Sequence, residues 1–281
     1  MKTNMKDKLN ICILDLYDGY PNEGMRCIKM LIDDFLKKES ISGDYKIYDV
    51  RANAIYPNIE DYHIFISTGG PGSPMVEGEE WELKYFNFLD EIVNYNNENA
   101  IKKHLLLICH SFQLMVQRYS LGLVCKRIST SFGVMPVHKT TEGQSEALFE
   151  GLQDPFWAVD SRDFQVIQPD LEKIDDMGAK IIALEKYRPH IPLERAIMGI
   201  RLTDEIVGFQ FHPEADALGM SRYFQQEDKR TAVIAEHGED KLEIMLEQLE
   251  DPDKIILTEA TIIPSFLKNA AEQILMIENS I

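Results

Sequence analysis

The stretch "LLLICHSFQLM", residues 105–115, decides the fold. A short apolar run fit for a buried strand ends at Cys109. Behind it, Phe112, Met115, Val116 and Tyr119 recur at helical spacing. A strand running directly into a helix is the unit of a parallel sheet covered on both faces. The thiol stands at the seam. Ligands of open α/β sheets gather outside the carboxyl ends of the strands, and a sulfur beside a helix N-terminus lies where the dipole favours thiolate. Gln113, one helical turn on, shares the face of residue 109. Free cysteine is also among the most buried residue types, so this stretch alone leaves a core filler and a nucleophile both open.

Outward from the seam the grammar repeats. "LNICILDLY" (9–17) reads as a strand, "DGYPNEG" (18–24) as a turn, and "MRCIKMLIDDFLKK" (25–38) as a helix with Met25, Ile28, Leu31, Ile32 and Phe35 on one face. "YKIYDV" (45–50) and "YHIFIST" (62–68) read as strands, and "EEWELKYFNFLDEIVNYN" (79–96) as an amphipathic helix. Past residue 120, successive β-like runs predict antiparallel strands that extend the sheet: "VCKRIST" (124–130), "VMPVHKT" (134–140), "FWAVDSRDFQVIQ" (156–168), "AKIIALE" (179–185), "RAIMGIRL" (195–202) and "EIVGFQF" (205–211). After "HPEAD" (212–216) the chain turns helical and acidic, and "SFLKNAAEQILMI" (265–277) is apolar enough to require burial. The expected fold class is α/β: a three-layer sandwich whose open sheet is mainly parallel, with antiparallel extension strands.

Two further stretches carry polar chemistry. "STGGPGSP" (67–74) follows a strand, and its consecutive glycines let backbone N–H groups approach a ligand, as an oxyanion hole requires. An ordinary Gly-Pro turn would read the same. In "VGFQFHPEAD" (207–216) the residue before proline is pushed toward extended geometry, and residues i and i+2 of an extended segment share a face. His212 is thereby placed beside Glu214, an imidazole with a carboxylate to orient it. A solvated histidine at a strand end is the plainer alternative.

The bulk composition narrows the classes. The 281 residues are 44% hydrophobic and 27% charged, an ordinary globular balance. Basic residues number 29 against 47 acidic, a net charge of −18 that argues against nucleic acid as a partner. Cys12, Cys27, Cys109 and Cys125 form no C-x-x-C pair, so neither a zinc site nor a disulfide framework is expected. No metal or other cofactor is expected; the P-loop and dinucleotide fingerprints are missing. Asp15 and Asp18 break the N-terminal apolar run, and no stretch approaches the length of a membrane span. A cytoplasmic protein without membrane association is the expectation.

Glycine loop, strand-end Cys and strand-end H-P-E, in this order and at these separations, resemble the class I glutamine amidotransferase family, most of all the stand-alone amidotransferases of GMP synthases. "GGPGSP" and "FQFHPE" are the close matches, and "TEGQSEALFEGLQDPFWAVDSRDFQV" (141–166) follows the family layout. The resemblance implies a flavodoxin-like domain over residues 9–214, with 215–281 as a helical extension packed on it. It also implies release of ammonia from glutamine through a Cys109–His212–Glu214 triad and a glutamyl thioester. Gly70 and His110 would then supply oxyanion donors, while Gly72, Gln113, Ser161 and Arg162 fall at positions beside the substrate. The seam at Cys109 becomes a nucleophile elbow.

Two departures stand out. The family elbow usually reads G-[IV]-C-x-G-x-Q, whereas here Leu107 and Ser111 replace both glycines. Arg162 stands where many relatives carry a histidine. Homoserine acyltransferases are similar in their Cys, His and Glu and would move an acyl group from coenzyme A, and a degenerate regulatory relative is a third reading. The expected partners are glutamine or a related amide and a separate ammonia-accepting synthetase subunit. The helices after Glu214 are candidates for a cap, a homodimer face or a synthetase dock.

Overall fold

Nine strands form one sheet in the computed structural model of the chain, which describes residues 8–190 and 192–278. The N-terminal lysines of residues 1–7 and the last residues of the C-terminal segment, 279–281, lie outside the described residues. The strands are β1 (Leu9–Asp15), β2 (Gly43–Asp49), β3 (Ile64–Ser67), β4 (His104–Ile108), β5 (Leu123–Lys139), β6 (Phe156–Ile167), β7 (Lys180–Glu185), β8 (Ile197–Arg201) and β9 (Ile206–Phe209). Their spatial order is β2-β1-β3-β4-β9-β8-β7-β5-β6. The first five in that order pair in parallel. The remaining pairings are antiparallel.

Helices cover both faces. They are α1 (Glu23–Lys38), α2 (Glu80–Glu98), α3 (His110–Arg118), α4 (Leu171–Asp176), α5 (Ala217–Gln225), α6 (Glu227–His237), α7 (Glu239–Glu250) and α8 (Leu257–Glu278). The two-residue period of the strands splits their side chains between two cores. Ile11, Ile13, Ile64, Ile66, Leu106 and Ile108 point toward α1 and α8. Cys12, Leu14, Phe65, Leu105 and Leu107 point toward α2, α3 and α4. Strands buried on both faces need unbroken apolar runs, which is why β3 and β4 are buried at every position.

Local chemistry sets the helix limits. Asn22 caps α1 by accepting from the Gly24 N–H, and the helix carries Glu23 in its first turn and Lys37 and Lys38 in its last, matching its dipole. Its buried stripe is Cys27, Ile28, Leu31, Ile32 and Phe35. The two β-like runs at 124–130 and 134–140 fall in one long strand, β5; the "RIST" that ends the first (127–130) is absorbed by a register shift against β6 between Lys126 and Ser131.

The C-terminal helices pack in two places. Leu242, Met245 and Leu249 of α7 lie over Val134 and Val159 of β5 and β6. Gly133, at φ +117°, permits this approach, since a Cβ there would stand 2.4 Å from Met245 Sδ. Ile262, Ile263, Phe266, Leu267, Ala270, Ala271 and Ile274 of α8 enter the same core as α1. Helix α8 is therefore a structural layer of the sheet and not a loose tail.

Candidate active site

Cys109 holds the turn between β4 and α3 at φ +50°, ψ −98°, a conformation that costs a β-carbon-bearing residue about 1–3 kcal/mol. Its surroundings enforce that geometry. The Cys109 N–H donates to the Phe209 carbonyl at 2.7 Å, and its carbonyl accepts from the Gln113 N–H at 3.0 Å. Ser111 ties the turn from inside: its Oγ accepts from the Ile108 N–H at 2.8 Å and donates to the Ser67 carbonyl at 2.9 Å. Leu107 is accommodated by the neighbouring strand. It pairs with Gly208 of β9, where a Cβ would come within 2.7 Å of the Phe112 ring. The glycine that relieves crowding between sheet and α3 stands on β9 here, not on β4.

The glycine loop closes over Cys109. A Cβ on Gly69 would lie 3.1 Å from His212 Cε1 and 3.6 Å from Cys109 Cβ, and one on Gly70 would meet the Leu16 carbonyl at 2.5 Å. Gly72 adopts φ +80°, a region that favours glycine. Arg51 braces the loop by donating to the Pro71 carbonyl at 2.6 Å, with its guanidinium 5.1 Å above the Trp81 ring.

His212 lies three residues beyond the end of β9, and β6 places it: its N–H donates to the Val159 carbonyl at 2.9 Å. Its Nδ1 is 2.9 Å from Oε1 of the buried Glu214. Burial alone would lower the imidazole pKa, but the Glu214 carboxylate and the Cys109 sulfur hold it well above its ordinary value. His110 behaves in the opposite way: burial first, then the Arg51 charge, push it down to about 4, so this ring is neutral at pH 7.

Gly70, Gly72, Cys109, His110, Gln113, Ser161, Arg162 and His212 all border one cavity of about 300 Å³, with Glu214 behind His212. The family model for class-I glutamine amidotransferases matches residues 27–227. The chain belongs to that family. A glutamine amidotransferase from Thermotoga maritima superposes with a TM-score of 0.65 at 16% identity, covering 94% of this chain and 98% of its own. A protein from Thermoplasma acidophilum described as a GMP synthase subunit gives 0.50 at 16%, over 83% and 98%. The glutaminase domain of Trypanosoma brucei CTP synthase, solved with bound acivicin, gives 0.56 at 12%, over 81% and 94%. At these identities the likeness is one of fold. No curated protein sequence matches the chain.

In this amidotransferase, Arg162 borders the cavity and its charge is held in ion pairs. Along β6 the side chains alternate, so Ser161 and Asp163 are exposed while Asp160 and Arg162 are buried. The Arg162 guanidinium bonds Asp160 at 2.9 and 3.0 Å and lies 3.5 Å from Glu185. It forms part of the cavity wall with its charge turned to those two acids. Gln113 is likewise engaged, donating to Gln210 Oε1 at 2.9 Å.

Sequence reasoning passed over Gln210, whose Nε2 reaches to 3.7 Å from Cys109 Sγ. The available signal was a polar side chain two residues before His212 in an otherwise apolar strand. Tyr17 and Asn22, from the loop after β1, also line the cavity, and nothing in their local pattern marked them. Among the described residues no helix is long and apolar enough to cross a membrane.

Proposed function

We propose that this family member hydrolyses the side-chain amide of glutamine with Cys109 as nucleophile. The sulfur attacks the amide carbonyl carbon, and the carbonyl electrons move onto oxygen, where the backbone N–H groups of Gly70 and His110 stabilise them. As that oxyanion collapses the C–N bond breaks, and His212 delivers its proton to the departing ammonia. A glutamyl thioester remains. Water then attacks it, His212 takes the water's proton, and glutamate leaves as the thiol is restored. Glu214 orients the imidazole and stabilises its cationic form. Gly72, Gln113 and Ser161 hold the substrate, with Arg162 keeping the Ser161 segment in place.

One observation carries this reading: a positive-φ cysteine at a strand–helix junction shares a cavity with a histidine whose far nitrogen is fixed by a buried carboxylate. The relatives described as a CTP synthase glutaminase domain and a GMP synthase subunit support a further step. We propose that the ammonia passes to a separate synthetase.

The test is intact-mass analysis after treatment with 6-diazo-5-oxo-norleucine, a glutamine-like electrophile, beside a Cys109→Ala control. The expected result is a single adduct that glutamine suppresses and the variant lacks. An adduct retained by Cys109→Ala, or none at all on wild type, overturns the assignment of Cys109 as a glutamine-directed nucleophile.

A further inference from the structure

Two buried polar atoms beside the His212–Glu214 pair have no partner. Glu214 engages His212 through Oε1, while its Oε2 and the Tyr17 hydroxyl make no hydrogen bond among the described residues. Glu214 is 1% exposed and Tyr17 4%. Buried polar groups are nearly always paired, so a donor and an acceptor left over in one place require an account.

Gly24 shows that they share a place. A Cβ on this residue would stand 2.3 Å from Tyr17 Oη and 3.0 Å from Glu214 Oε1. The hydroxyl fits beside the first turn of α1 because residue 24 has no side chain. Asn22 Oδ1 lies 2.9 Å from the same point, but the Gly24 N–H already donates to it at 2.7 Å. The Tyr17 backbone is anchored on both sides. Its N–H donates to Asp15 Oδ1 at 2.8 Å, and its carbonyl accepts from the Tyr20 N–H at 3.0 Å. Burial first, and then the Glu214 charge, hold the phenol pKa well above its ordinary value, so the group is a hydroxyl with a proton to donate.

Hydrogen bonds of an unliganded active site are often long and tighten as charge develops. Here the charge develops on His212 as it takes the Cys109 proton, and Glu214 has to hold the cation. A carboxylate fixed through one oxygen only is free to turn.

We propose that Tyr17 is a positioning residue, whose hydroxyl donates to Glu214 and holds that carboxylate against His212. This role rests on the Cys109–His212–Glu214 relay proposed above.

The test is the pH profile of Cys109 alkylation by iodoacetamide, a small electrophile that needs no glutamine site, with the modified cysteine identified by peptide mass. An ordinary thiol loses reactivity below its pKa of about 8.5, whereas one paired with an imidazolium keeps it at lower pH. Wild type is expected to stay reactive near about pH 6. Tyr17→Phe keeps the ring and removes one oxygen. It is expected to slow alkylation roughly tenfold near about pH 6 and to leave the rate near about pH 9.5 unchanged, where an unassisted thiol is already ionised. Glu214→Gln should slow the low-pH reaction at least as much, and adding Tyr17→Phe to it should change nothing further, because the two side chains act as one unit. An unchanged low-pH rate in Tyr17→Phe, an additive loss in the double variant, an equal loss at both pH values, or an ordinary thiol profile in wild type would each overturn the proposal. Failure of the glutamine-like electrophile to label Cys109, with the alkylation results as expected, would strike glutamine as substrate and leave the role of Tyr17 standing.

Discussion

The parallel and antiparallel halves of the sheet build the same cavity by different means. On the parallel side, β1, β3, β4 and β9 present backbone: the elbow at Cys109 and the loop at Gly69–Gly72 are held by main-chain hydrogen bonds and by the absence of Cβ atoms. On the antiparallel side, β5, β6 and β7 hold their wall with buried charge. Glu185 sits among Arg127 at 3.1 Å, Arg162 at 3.5 Å and Arg188 at 2.5 Å. Burial would raise the Glu185 pKa, but Arg162, then Arg127 and Arg188, hold it below the usual carboxylate range. Asp160 completes the network by accepting from Arg162 and from Ser131 Oγ at 2.7 Å. A half positioned by backbone is sensitive to added atoms, and a half positioned by ion pairs is sensitive to lost charge.

Arg162→Met should show the second sensitivity most strongly. It strands Asp160 without its cation and should cost about 3–5 kcal/mol in a urea titration, with loss of activity following loss of the wall. Asp160→Asn in the same background should restore part of that stability; if it restores none, the network is not what holds β6 in place.

A pH titration separates the halves next. His110, at the parallel-side elbow, has a folded pKa of about 4 against an unfolded value near 6.5. Between those values the unfolded chain binds a proton that the folded chain refuses. Stability conferred by the neutral ring is therefore fully present above about pH 6.5, falls as the pH drops toward 4, and levels off below. The difference between wild type and His110→Gln should amount to about 3 kcal/mol at most across that window. A pH-independent difference would mean that His110 is not buried as described.

The smallest effect expected is that of one added methyl group on the parallel side. Gly208→Ala pushes a carbon to within 2.7 Å of the Phe112 ring and 3.3 Å of Met115 Cε. The overpacking should cost about 1–3 kcal/mol, and by shifting α3 it should slow labelling of Cys109 by the glutamine-like electrophile. Unchanged stability together with unchanged labelling would show that β9 does not relieve the crowding created by Leu107.

The elbow was legible because its signal is local. "LLLICHSFQLM" changes period at Cys109, and His212 and Glu214, two residues apart, meet at 2.9 Å across the turn that follows β9. What Leu107 and Ser111 do in place of glycines was not legible. The answer to one lies on another strand, at Gly208, and the answer to the other in a hydrogen bond across to Ser67. For Arg162, the place beside the cavity follows from position in the chain, but its ion pairs follow from the alternation of β6 against β5 and from acids at 160 and 185.

By itself, then, the sequence determined the layered α/β class, the strand–helix seam at Cys109, the glycine loop and the His-x-Glu pair, since each depends on contacts within a few residues. Tertiary structure alone decided which glycine makes room for the elbow, which strand holds His212, where the Arg162 charge goes, and that α8 shares its core with α1. Those outcomes depend on pairs far apart in the chain, whose contact is set by sheet order and packing and leaves no periodic trace in either segment.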